Sequence, residues 1–203
     1  MTVNLYQNDL PPDLDLGSVI AVDCETMGLN PIRDRLCLVQ LSSGDGIAHL
    51  VQISKGQTEA PNLVRIIKDE SIKKLFHFGR FDIAALLSTF GVLMTNVYCT
   101  KIASKLVRTY TDRHGLKNLL QEILNVDISK QQQTSDWGAI NLTSSQMDYA
   151  ASDVLYLHKL REKLDDMIER EGRTTLAQSC FEFLPVRAKM DLRGWSEIDI
   201  FAH

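Results

Sequence analysis

Apolar positions along the chain change period twice, and each change marks a different kind of element. Val19–Glu25 (VIAVDCE) is a nearly continuous apolar run closing on two acids, the pattern of a strand buried on both faces. Arg35–Ser42 and Ile47–Ile53 are two further apolar runs, separated by SGDG, whose glycines predict a hairpin turn. Three strands with no helix between them predict an antiparallel start to a sheet. The period then alternates. PNLVRIIKD has helical spacing, Lys73–Phe78 is a short strand, FDIAALLSTF is helical, and NVYCT is a last short strand.

Beyond Thr100 the strands stop. KIASKLVRT and LKNLLQEIL repeat apolar residues at i, i+3 and i+4, and residues 125–141 are polar and read as loop. Thr143 and Gln146 form a capping-box start for a long helix reaching about Arg170, followed by a short helix near Thr175–Phe183 and an irregular C-terminus. The first 17 residues, polar and holding Pro11 and Pro12, read as a lead-in arm. The expected architecture is α/β: a mixed five-stranded sheet flanked by helices, with a helical second half.

Composition narrows the function. The chain has 203 residues, 44% hydrophobic and 24% charged, which favours one compact domain. Its 22 Lys and Arg against 26 Asp and Glu give a net charge of −4. That balance argues against gripping long nucleic acid by charge alone, while leaving room for local positive charge from bound metal. Four cysteines show no CxxC pair, so neither a zinc ribbon nor a disulfide framework is indicated. The N-terminus lacks the basic and apolar regions of a signal peptide, and no stretch is apolar enough for a membrane span. The expectation is a cytoplasmic protein.

The acids carry the chemistry. Asp23 and Glu25 are two apart on a strand, so period-2 geometry puts both on one face and Cys24 on the other. Two anions side by side are costly unless a cation sits between them, and hard oxygen donors suit magnesium or manganese. A strand running out into solvent is the plainer reading of that pair. Asp82, in HFGRFD, opens a helix, where an acid also simply favours the helix dipole. Tyr149 and Asp153 are four apart and share a helix face.

In their order, these features resemble the DEDD superfamily of 3′–5′ exonucleases. RLCLVQL, LFHFGRFD, HGLKNLL, QTSDW and YAASDVLYL are similar to the blocks of the ribonuclease D family, and the match covers about Val19 to Leu157. The resemblance implies a ribonuclease-H-like fold, with Asp23, Glu25, Asp82 and Asp153 holding two divalent ions, Mg2+ or Mn2+. It implies the tyrosine subclass, with Tyr149 orienting the attacking water; the histidine subclass would need His at position 148, which is Asp. Thr26, Met27 and Leu29 would meet the terminal nucleotide, with stacking or core packing open for Leu29. His77 would contact ribose or phosphate, or be a satisfied strand-end histidine. Lys101, with Lys105 and Arg108 at i+4 and i+7, makes a basic stripe that is either a phosphate contact or a solvated face. Gln133 and Trp137 belong to the QTSDW block, as substrate contacts or loop anchors.

Full-length members carry HRDC domains after the nuclease core, and this chain ends about fifty residues past Asp153, with no room for one. The resemblance is therefore nearer to the short stand-alone nano-RNase C type, which degrades short RNA down to dinucleotides and forms homo-oligomeric rings. Trp195, Ile198, Ile200 and Phe201 make the tail, residues 185–203, too apolar for a free terminus, and it docks either on its own domain or across an interface. A 3′–5′ DNA exonuclease and a catalytically silent RNA-binding module are the alternatives; the intact acids and tyrosine speak against the second.

Overall fold

The computed structural model describes residues 2–203. A six-stranded mixed sheet runs in the order β1-β4-β3-β2-β5-β6. Its strands are β1 (Thr2–Gln7), β2 (Val19–Thr26), β3 (Leu36–Ser42), β4 (Ile47–Gln52), β5 (Lys73–Phe76) and β6 (Val97–Cys99). β2, β3 and β4 form the antiparallel meander expected from the three early runs, and β5 and β6 extend it in parallel to β2. β3 is buried along its whole length, which is why its sequence shows no polar alternation.

The sixth strand corrects the count of five. Thr2–Gln7, read as part of an arm, pairs in parallel with β4 from Thr2↔Ile47 to Gln7↔Gln52. Tyr6 donates or accepts a 3.1 Å hydrogen bond with His49 Nδ1, and Gln7 Nε2 donates to Gln52 Oε1 at 3.0 Å. An edge strand faces water, so it needs little apolar content and leaves a weak signal.

The helices are α1 (Pro61–Lys68), α2 (Arg80–Phe90), α3 (Thr100–Val107), α4 (Leu116–Leu119, continued as a π-helical turn to Leu124), α5 (Ser144–Leu155), α6 (Leu157–Arg170) and α7 (Thr174–Met190). The capping box at Thr143 and Gln146 forms as expected. The long helix it starts is broken at Tyr156 (φ −108°, ψ −4°), so α5 packs on β2, β3 and β4 while α6 turns to pack on α3. α7 runs past the expected end at Phe183 because Leu184, Pro185 and Ala188 are buried, and this packing against α2 outweighs the proline's helix-breaking cost. No helix among the described residues is long and apolar enough to cross a membrane.

Candidate active site

The C-terminal ends of β2 and β5 and the start of α2 meet the middle of α5. Asp23 and Glu25 leave β2 on one face, while Cys24 is buried on the other and its amide donates to Asp82 Oδ1 at 3.1 Å. That bond ties the first turn of α2 to the strand carrying the other two acids. Gly79 allows the approach: a Cβ there would stand 2.6 Å from Phe76 Cβ. The β2–β3 register slips between Glu25 and Thr26, which face Leu38 and Leu36, a bulge beside the acids. Carboxylate oxygens of Asp23, Glu25 and Asp153 lie within 4.8 Å of one another.

Burial pushes every one of these carboxyls up. Asp23 rises well above the usual range, with the charges of Asp82, Asp153 and Glu25 adding to the desolvation. Glu25 is raised to about 9 and Asp82 to about 8. Asp153 is raised to about 7, held back by hydrogen bonding to Tyr149 and by the charge of Lys130. Carboxyls so placed cannot all ionise without a cation among them. Three hard oxygen donors converging in this way, with Asp82 lining the same cleft beside them, fit a divalent ion of the magnesium or manganese kind.

The acids and Tyr149 line a cleft of about 360 Å³ together with Thr26, Leu29, His77, Lys101 and Gln133. Leu29 is 90% exposed there, so it is not a core residue. Two expected contacts stand elsewhere. Met27 is half exposed but off the cleft lining, its sulfur against Gly138, and Trp137 is buried behind Tyr149 with ring centroids 6.0 Å apart. Burial and the nearby carboxylates push the Tyr149 hydroxyl well above its ordinary value, so it stays a phenol. Asp148 is exposed, and His158 bonds the Val19 carbonyl through Nε2 at 3.1 Å, a packing role.

The basic stripe does not survive as one face. Lys101 reaches the cleft, whereas Arg108 is only 2% exposed, paired with Glu122 and donating to the Arg113 carbonyl at 2.9 Å. α3 ends at Val107, so position i+7 is no longer on the helix.

Three neighbours of the site escape the sequence reading. Gln40, fully buried opposite Asp23, donates through Nε2 to Asp23 Oδ2 at 3.3 Å. A lone glutamine inside the apolar run RLCLVQL was its available signal. Lys130 lines the cleft from a polar stretch indistinguishable from ordinary loop. Phe78, half exposed, adopts a left-handed backbone (φ 67°), with Lys101 Nζ 4.1 Å from its ring centroid.

Residues 8–169 match the family described as 3′-5′ exonuclease. Ribonuclease D of Gluconacetobacter diazotrophicus is 32% identical over 154 residues, covering 76% of this chain but only 39% of that enzyme. The structure of Brucella melitensis NrnC with bound Mg2+ is 56% identical, each chain covered in full, with a TM-score of 0.96. NrnC bound to pGG is 57% identical, with a TM-score of 0.97, covering all of this chain and 99% of the other. Escherichia coli ribonuclease D matches at 29% identity and a TM-score of 0.75, over 85% of this chain and 45% of that enzyme. With its mixed sheet, helical second half and tyrosine-type acid set, the chain belongs to the ribonuclease D family of 3′–5′ exonucleases.

Proposed function

We propose that this exonuclease removes nucleotides from the 3′ end of short RNA oligonucleotides, down to dinucleotides, and releases nucleoside 5′-monophosphates. The observation that carries the substrate class is the full-length likeness to NrnC bound to pGG. Asp23, Glu25, Asp82 and Asp153 are the residues assigned to hold divalent cations, two Mg2+ or Mn2+ ions. Such ions supply charge neutralisation for the scissile phosphate and make a water acidic enough to attack near neutral pH.

The chain's own residues orient the reaction. Tyr149, a phenol at working pH, gives its one proton to the hydrogen bond with Asp153 and aligns the attacking water by accepting from it, without taking its proton. Gln40 holds Asp23 by its amide, and the Cys24 amide holds Asp82, so neither carboxylate swings freely. Lys101 and Lys130, with Lys117 paired to Asp127 beside them, bring positive charge to the cleft that holds the acids, where a substrate phosphate enters. Leu29 and Phe78 offer exposed apolar faces to the bases.

The same reading carries a single exonuclease unit over the whole chain, a cytoplasmic setting and a homo-oligomer in ring form. Support for the oligomer comes from the tail, where Ile198 and Phe201 are 51% and 79% exposed. The test of function is a length series of 5′-labelled RNA and DNA, from two nucleotides upward, with Mg2+ or Mn2+. The expected result is a ladder shrinking from the 3′ end, fastest on the shortest RNAs. A preference for long structured RNA, or for DNA, overturns the substrate class and leaves the family untouched.

A further inference from the structure

We propose that His77 accepts a hydrogen bond from a ribose hydroxyl of the bound nucleotide through its Nε2 atom. The inference rests on the exoribonuclease reading above and assigns one part of substrate recognition to one atom. The Thr100 hydroxyl donates its single proton to the Phe76 carbonyl at 3.2 Å. Toward His77 Nδ1, 2.9 Å away, the same oxygen therefore acts as acceptor. The proton of the neutral ring lies on Nδ1, and the lone pair lies on Nε2. Thr100 is fully buried, so it anchors the inner edge of the ring while His77 lines the cleft with the outer edge.

The ring stays uncharged. Burial, with Lys101 and Lys130 adding their repulsion, holds its pKa down to about 3. A neutral imidazole with its lone pair facing outward gives a phosphate oxygen nothing to bond, since both are acceptors. It needs a donor, and the donors that every ribonucleotide carries, whatever its base, are the sugar hydroxyls. The 2′- and 3′-hydroxyls share this chemistry, and separate substrates distinguish them.

The test uses 5′-phosphorylated diguanosine in four forms: all ribose, 2′-deoxy at the first sugar, 2′-deoxy at the second, and 3′-deoxy at the second. The full chain should lose about tenfold in kcat/KM on one of the deoxy forms. His77→Leu should lose the same factor on the all-ribose form and nothing further on that deoxy form. An equal loss on all four substrates overturns the proposal. Should wild type leave dinucleotides intact yet shorten longer RNA, the short-substrate reading fails alone, and the same four changes at the 3′ end of a longer RNA test His77. Thr100→Val, which frees Nδ1, should weaken the same discrimination, whereas Thr100→Ser should keep it. Nitrogen-15 NMR of the wild-type ring needs no variant: a proton on Nδ1 is expected, and a proton on Nε2 overturns the proposal.

Discussion

The Trp137 ring stands behind the Tyr149 ring, centroids 6.0 Å apart and tilted by 39°, and fixes the phenol over Asp153 from the buried side. Two side chains thus divide the work, one facing the cleft and the other limiting its motion. Tyr149→Phe keeps the packing and removes only the hydroxyl. It should lower kcat about 10²-fold while leaving the metal dependence of activity unchanged. Unchanged turnover removes Tyr149 from the mechanism. Trp137→Leu should lower kcat as well, by mispositioning Tyr149, and titration of activity against Mg2+ separates both effects from loss of the cation.

The crowded carboxyls set a pH dependence whose sign is fixed. In an unfolded chain they titrate near 4. Folded, Asp153, Asp82 and Glu25 are raised to about 7, 8 and 9, so the folded state binds more protons across that interval. Whatever stability these groups contribute is full below about 4 and is lost as pH rises through 7 to 9. In EDTA the melting temperature should fall between pH 6 and pH 9, and saturating Mg2+ should remove most of the fall. A melting temperature in EDTA that is flat or rising contradicts the clustering of the acids.

Asp82→Asn separates stability from activity. The amide oxygen can still accept from the Cys24 amide, but the charge is gone. Metal-free protein at pH 9 should melt higher, by about 2–4 °C for each kcal/mol of relieved repulsion, while nuclease activity is abolished. Differential scanning calorimetry with a nuclease assay on the same sample checks both.

Lys101 lies over the Phe78 ring at the cleft wall, so its charge is placed rather than free to wander. Lys101→Ala should raise KM several-fold, leave kcat nearly unchanged and flatten the salt dependence of KM. A salt slope equal to that of wild type returns Lys101 to the role of a solvated helix face.

The tail is held by two arginines. Arg80 binds Asp191 through both oxygens, at 2.5 and 2.8 Å, and Arg187 donates to the carbonyls of Trp195, Ser196 and Ile198. Phe201 rests on Phe183, centroids 6.1 Å apart, with much of its surface still exposed. Deleting residues 193–203 should therefore lower the oligomeric mass measured by light scattering after size exclusion. A monomer before and after deletion ends the oligomer proposal.

Legibility followed burial and local chemistry. Asp23 and Glu25 were readable because a buried strand forces alternate side chains to one face, and Asp82 and Asp153 because their order matched known blocks. The capping box at Thr143 and Gln146 was readable because both partners are local in sequence. β1 was not, since an edge strand of mixed polarity looks like an arm. Arg108 was misread because helical spacing continues on paper past the point where α3 ends, and its real partner, Glu122, is distant in sequence. Gln40 and Lys130 owe their place to tertiary approach, which no window of local sequence contains.

Phe78 carries the last consequence. A bulky aromatic there sits in a backbone region that glycine visits freely and that costs other residues about 1–3 kcal/mol. The bend between β5 and α2 is therefore under tension, offset by the packing around it, and it sets the half-exposed ring on the cleft wall. Phe78→Gly should relax the bend and make the protein hardier while leaving the nuclease slower, so that sturdiness and speed pull this one corner in opposite directions.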